Sequence, residues 1–185
     1  MAYHSALKPE LPIISELDFY SDNNNLVFRW DITQGMHETF THADAIYSEP
    51  SWKQGYSKFL HRAGIVQNNQ FTDYLTAIRN VILTLQKPAY IIAGKHMLKK
   101  LAPAQIGRIK LHGYDSYVAL WFIDAIPNTC TVPALLDYVC TQHSTILDFC
   151  CGYGNVASKA KHFVCSDVNA KCVYYVAKNF MGYEG

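Results

Sequence analysis

The apolar run Thr145-Ile146-Leu147 ends in Asp148 and leads into the turn sequence Gly152-Tyr153-Gly154-Asn155. A second apolar run, Phe163-Val164-Cys165, ends in Ser166-Asp167, nineteen residues after Asp148. Short strands that are apolar throughout, each closed by an acid, belong to a parallel sheet covered on both faces, and so to an α/β fold. The glycines let backbone approach a ligand, and a helix read over residues 155–161 adds a partial positive charge at its N-terminus. An acid at the end of the following strand is the group that grips ribose hydroxyls in nucleoside-binding α/β folds. A GxG by itself also fits an ordinary tight turn, so the spacing to Asp167 carries the ligand reading.

A chain of 185 residues, 50% apolar and 17% charged, is sized for one compact domain with a sizeable core. Sixteen Lys plus Arg against fifteen Asp plus Glu leave a net charge of +1. Any nucleic-acid contact must therefore come from a local patch, and a histone-like global field is excluded. The opening residues lack a charged-then-apolar signal pattern, and no apolar run reaches the roughly 18 residues of a membrane span. A soluble, cytoplasmic protein with no membrane contact is expected. Cys130, Cys140, Cys150, Cys151, Cys165 and Cys172 form no CxxC pair, and the eight His show no HxH or HxxxH spacing. The thiols read as buried small hydrophobes, with adjacent Cys150 and Cys151 pointing apart, and no metal is expected.

Residues 1–25 read as an N-terminal arm ending in a turn rich in Asn and Asp, and residues 26–185 as the domain. Strands are expected at 26–30, 43–47, 89–93, 106–111, 117–126, 145–147 and 163–165, with helices near 34–40, 70–85, 96–101, 133–140, 155–161 and 169–180. That makes a mostly parallel seven-stranded sheet with a terminal antiparallel hairpin. Residues 53–69 are polar and without clear periodicity, and read as a long loop or lid. Their Lys53, Lys58, His61 and Arg62 are better explained as a solvated loop than as a nucleic-acid patch. Asp31 fits a cap on the following turn as well as it fits a ligand contact.

The segment Asp44-Ala45-Ile46-Tyr47-Ser48-Glu49-Pro50-Ser51-Trp52 is a strand ending in an acid, a proline and an aromatic. It resembles the D/N-P-P-Y/W catalytic motif of amino-methyltransferases that act on adenine N6 or cytosine N4. Asp148 to Asn155 is similar to the cofactor motif D-P-F-x-G-S-G-T of the same family. The catalytic motif precedes the cofactor motif, as in the circularly permuted, β-type group. The resemblance implies a single Rossmann-like methyltransferase domain, with a catalytic-motif half at 26–126 and a cofactor-motif half at 127–185. The strand that a nucleoside-binding sheet wants beyond Asp167 would be supplied by residues 26–31.

The resemblance further implies S-adenosylmethionine as cofactor, held by Asp31, Ser48, Pro133, Asp148, Phe149, Cys150, Gly152, Gly154, Asn155, Asp167 and Val168. Glu49, Pro50, Ser51 and Trp52 would hold the acceptor base, which must be extruded or unpaired to be reached. DNA is the implied substrate, with adenine N6 favoured by the tryptophan, and a protein partner or homodimer is compatible with it. A chain of 185 residues is not expected to hold a separate target-recognition region, so specificity would be low, encoded in the loop at 53–69, or borrowed, as suits a phage-like modification enzyme. The chain departs from the pattern at Glu49, where the family has Asp, Asn or Ser, and at Ser51, which replaces the second proline. Phe149 and Cys150 replace Pro and Phe, and Tyr153 replaces a small residue. These departures keep a second reading open, a degenerate methyltransferase fold serving as a binding subunit or inhibitor. A third reading is an enzyme acting on RNA, a small molecule or a protein amide.

Overall fold

The computed structural model describes residues 19–185 apart from 68, 126 and 130. Residues 1–18 of the expected arm, the end of the expected strand 117–126 at residue 126, and Cys130 lie outside it. Eight strands form one sheet: β1 (Phe19–Ser21), β2 (Leu26–Arg29), β3 (Ala45–Ser48), β4 (Ala89–Ala93), β5 (Gln105–Leu111), β6 (Tyr114–Trp121), β7 (Thr145–Asp148) and β8 (His162–Asp167). Their order is β1-β2-β8-β7-β3-β4-β6-β5. The five strands from β2 to β4 are parallel, while β1, β6 and β5 pair antiparallel.

Every residue of β3 and β4 is buried, as expected of strands covered on both faces. Alternate residues divide between two cores. Phe28, Ile46, Ile91, Leu147 and Val164 pack under α1 (Lys53–Arg62), α2 (Phe71–Leu85) and α3 (Lys95–Leu101). Val27, Tyr47, Ile92, Ile146 and Cys165 pack under α4 (Val132–Gln142) and α5 (Ala170–Phe180). Thr131 caps α4 through its hydroxyl, and Asn169 caps α5 through its side-chain oxygen. Cys150 and Cys151 do point apart, one packed against each core.

The strand beyond Asp167 is β2, which pairs in parallel with β8 from Leu26 against Val164 to Arg29 against Asp167. The sheet has one strand more than expected. β1, drawn from the arm, returns on β2 through a turn in which the Asp22 carboxylate accepts from the amides of Asn24 and Asn25 at 2.8 and 2.7 Å.

Three segments differ from the sequence reading. Residues 53–62 form helix α1, not a loop or lid, because Tyr56 and Leu60, one turn apart, bury themselves against the core. Where one helix was expected near 34–40, two 3₁₀ turns occur, Ile32–Gln34 and Glu38–His42. Residues 152–159 are a chain of hydrogen-bonded turns, and no regular helix forms over 155–161, so no helix N-terminus faces the Gly152 turn. The Ser158 hydroxyl donates to the Asn155 carbonyl at 2.7 Å, the kind of local bond that competes with a regular helix.

Gly154 has a φ of +86°, and a Cβ there would lie 2.8 Å from a Phe180 ring carbon and 3.1 Å from Val176. This glycine is required by the packing of α5 on the turn. Gly154→Ala is expected to cost about 2–4 kcal/mol from backbone strain plus overpacking, read as a lower urea midpoint with an unchanged slope.

Candidate functional site

The loops that follow β2, β8, β7 and β3 open together at the carboxyl edge of the sheet, where open α/β sheets place ligands. They enclose, with α1 and α2, a cavity of about 160 Å³. Its walls hold aromatic rings (Trp30, Tyr56, Phe59, Tyr74, Phe149) and three carboxyl residues (Asp31, Glu49, Asp167). Ser51, Cys150, Gly152 and Val168 also line it. Eight residues singled out from the sequence thus share one cavity: Asp31, Glu49, Ser51, Phe149, Cys150, Gly152, Asp167 and Val168.

The remaining ones stand elsewhere. Ser48 and Asp148 are buried, and the Ser48 hydroxyl donates to Asp148 Oδ1 at 2.6 Å, joining the two motifs across a hundred residues. Pro50 is buried, and Trp52 is 36% exposed with its ring 6.3 Å from that of His96. Gly154 is buried against α5, while Asn155 and Pro133 are exposed and outside the cavity walls. Asp31 caps the first 3₁₀ turn, accepting from the Thr33 amide and hydroxyl at 2.9 and 2.7 Å. The cap reading of Asp31 thus holds, and the residue also lines the cavity.

Asp167 is 2% exposed and accepts from the Gly152 amide at 2.8 Å and the Asn169 amide at 2.9 Å. Burial pushes its carboxyl up to about 6, against the opposing pull of these backbone donors. Asp148 is pushed further, to about 7, again chiefly by burial. The Glu49 carboxyl is raised by burial and held by the Tyr47 hydroxyl, which donates to Oε1 at 2.8 Å. A Cβ on Gly152, whose φ is +49°, would meet nothing within 4 Å, so this is the glycine that leaves room beside the cavity.

Of the aromatic wall, sequence reasoning found Phe149 and, as a candidate for base contact, Tyr56, but not Trp30, Phe59 or Tyr74. Tyr74 sits on the apolar face of α2 and reads as ordinary core, yet its hydroxyl lies 3.2 Å from Cys150 Sγ and faces the Ser51 backbone amide. It therefore ties the loop after β7 to the loop after β3. Its ring stacks on Tyr56 with centroids 4.5 Å apart. Tyr56 stands one helical turn beyond Trp52 of the motif.

No protein-family model and no curated protein matches the sequence. Among solved structures, M1.HpyAVI in complex with SAM aligns with a TM-score of 0.50 at 10% identity, over 82% of this chain and 96% of that one. The chain shares that protein's fold. TTHA0409 from Thermus thermophilus, complexed with S-adenosyl-L-methionine, gives 0.48 at 9% identity over 85% and 96% of the two chains. A second structure of M1.HpyAVI gives 0.46 at 10% identity over 82% and 96%. Among the described residues no helix is long and apolar enough to cross a membrane.

Proposed function

We propose that the protein is an S-adenosylmethionine-dependent methyltransferase acting on an exocyclic amino group of a nucleobase, with N6 of adenine in DNA as the preferred acceptor. The observation that carries this reading is the meeting, in one cavity, of the Glu49 to Ser51 loop with the Phe149 to Gly152 turn and Asp167. A solved structure that shares the fold, M1.HpyAVI, was crystallised with SAM. The chain order, with β2 supplying the strand beside β8, is read as the circularly permuted arrangement.

The cavity suits that cofactor chemically. Aromatic rings favour a purine and a sulfonium cation, and the carboxylates favour its hydroxyls and positive charge. Asp167, already oriented by two amides, would accept from the ribose hydroxyls. Asp31 would face the purine, with Trp30 and Val168 as apolar walls. Ser48 and Asp148 shape the turn from beneath. When bound, the cofactor supplies an electrophilic methyl carbon.

On the acceptor side, Glu49 and the Pro50 carbonyl would accept hydrogen bonds from the amine and aim its lone pair, and Trp52 would stack on the extruded base. Alignment of this kind, rather than a tuned acid or base, is the main demand of the transfer. A second reading is favoured by the Glu49 carboxylate, which is turned onto Tyr47: a cofactor-binding subunit or inhibitor that has lost turnover. Protein partner, homodimer and cytoplasmic location belong to either reading.

Calorimetric titration with S-adenosylmethionine and its demethylated product, then incubation with unmodified DNA and tritiated cofactor, tests both. Binding with label transfer supports the enzyme, and binding without transfer supports the second reading. Absence of binding overturns the cavity as a cofactor site. Affinity is expected to weaken as pH falls through about 6, where Asp167 takes up a proton and loses acceptor strength.

A further inference from the structure

Acids and bases are not mixed along this nearly neutral chain. Between Asp73 and Asp115 there is no Asp or Glu, while seven of the sixteen Lys and Arg lie in that stretch. The fold gathers five of the seven on one surface. Helix α3 buries Met97 and Leu101 and leaves Lys95, Lys99 and Lys100 exposed. On the edge strand β5, Ile109 packs into the core beneath α4, so exposed Arg108 and Lys110 stand on the opposite face, the one that α3 covers.

Among the described residues the acid that reaches this surface is Asp115, ion-paired with Lys110, which with Arg108 holds its carboxyl below the usual range. Lys95, Lys99 and Lys100 have no such counterion among the described residues. The rest of the surface keeps its uncompensated positive charge, and self-repulsion makes that arrangement costly without an anionic partner.

The ridge also begins and ends at the acceptor motif. The His96 ring, next to Lys95, lies 6.3 Å from that of Trp52. The register Ala93 against Tyr117 carries the β5–β6 hairpin to the carboxyl edge of the parallel strands. Its tip holds His112, whose charge acts on Glu49, and Tyr114, which is 77% exposed. The sheet order puts the ridge, over β4, β6 and β5, on one side of the β3 loop and the cavity, over β2, β8 and β7, on the other. A polymer on the ridge would reach Trp52 without crossing the cavity.

We propose that this ridge is the track for the phosphodiester backbone of the nucleic-acid strand that presents the acceptor base, with Tyr114 offering a stacking face to a neighbouring base. The proposal rests on the function proposed above, because it assigns the ridge to that site's substrate. It moves the substrate grip away from residues 53–69, where α1 instead walls the cavity.

The test uses the full chain and a fluorescent single-stranded DNA oligonucleotide, titrated at several salt concentrations, with the same sequence as RNA in parallel. The variant Lys95→Gln/Lys99→Gln/Arg108→Gln is compared with Lys161→Gln/Lys171→Gln/Lys178→Gln, which removes the same charge from exposed positions elsewhere. Each lost phosphate contact is expected to lower affinity about fivefold at about 0.1 M salt and to reduce the slope of log K against log salt by about 0.7. The ridge variant therefore binds about 100-fold more weakly with a slope lower by about 2, while the control binds as the parent does. DNA and RNA differ in which is held more tightly, not in their dependence on the ridge.

Equal losses in both variants, or none in the ridge variant, overturn the track. Failure of the parent to bind either oligonucleotide also overturns it, even if S-adenosylmethionine still binds. Oligonucleotide binding through the ridge without methyl transfer keeps the track and overturns the enzymatic reading, so the two failures are distinct.

Discussion

Glu49→Ala is expected to lower methyl transfer by about 100-fold or more while leaving cofactor affinity little changed. Glu49 lines the cavity, and its carboxylate accepts from the Tyr47 hydroxyl at 2.8 Å. Removing it takes an acceptor from the amine without touching the Asp167 and Gly152 contacts that would hold the cofactor. It also leaves a buried hydroxyl without its partner, which costs about 1–3 kcal/mol of stability. The double variant Glu49→Ala/Tyr47→Phe removes that orphan, and is expected to regain stability but not activity. Single-turnover rates with radiolabelled cofactor, alongside thermal melts, separate the two effects. Unchanged transfer in Glu49→Ala would remove the residue from the chemistry.

Asp148→Asn is expected to flatten the pH dependence of stability. In the folded protein the Asp148 carboxyl titrates near 7, whereas its ordinary value is 3.8. Burial is the main cause, only partly offset by the Ser48 hydroxyl and the Cys150 amide, while Glu49 and Asp167 add repulsion. A group raised in this way holds its proton longer in the folded state than in the unfolded one. Its contribution is fully present below about pH 4 and is lost as pH climbs to about 7, a loss of about 4 kcal/mol for this one group. Asparagine keeps an acceptor oxygen for both donors and has no charge to desolvate. The variant is expected to be more stable than the parent at about pH 8 and to lose most of the slope between about pH 4 and 7, measured by urea titration. An identical slope in the two proteins would show that Asp148 is not the group responsible.

The elements legible in the sequence were those whose periodicity comes from burial on both faces or along one stripe. The central strands β3, β4, β7 and β8, helix α2 with Leu75, Ile78 and Ile82, and the capped starts of α4 and α5 announce themselves locally. Helix α1 did not, because only Tyr56, Phe59 and Leu60 form its apolar stripe and Lys, Gln, Gly, Ser and His fill the rest. Residues 155–161 read as a helix, but the Ser158 hydroxyl donates to the Asn155 carbonyl and the segment forms turns instead. For the site, the strand-terminal acids and Gly152 could be seen in the sequence because each follows an apolar strand. Tyr74 and Trp30 could not, since their place in the cavity depends on contacts between segments distant in the chain. Gly154 was legible as a glycine the turn needs, and Phe180 of α5 packs where a Cβ there would stand.

The pairing of β2 with β8, and of Ser48 with Asp148, has a consequence for how the molecule forms. The walls of the cavity come from both ends of the described chain, so no contiguous half can build it. Closing loops of roughly a hundred residues or more must precede those contacts, and such topologies fold slowly, with loop-closure entropy spent before the contacts reward it. The cavity is therefore a late product of folding, absent from partly folded states. Any small molecule that occupies it binds only the completed chain and draws the folding equilibrium toward that state by mass action. A ligand of this site acts as a folding chaperone in the thermodynamic sense, and resistance to proteolysis should rise with its concentration.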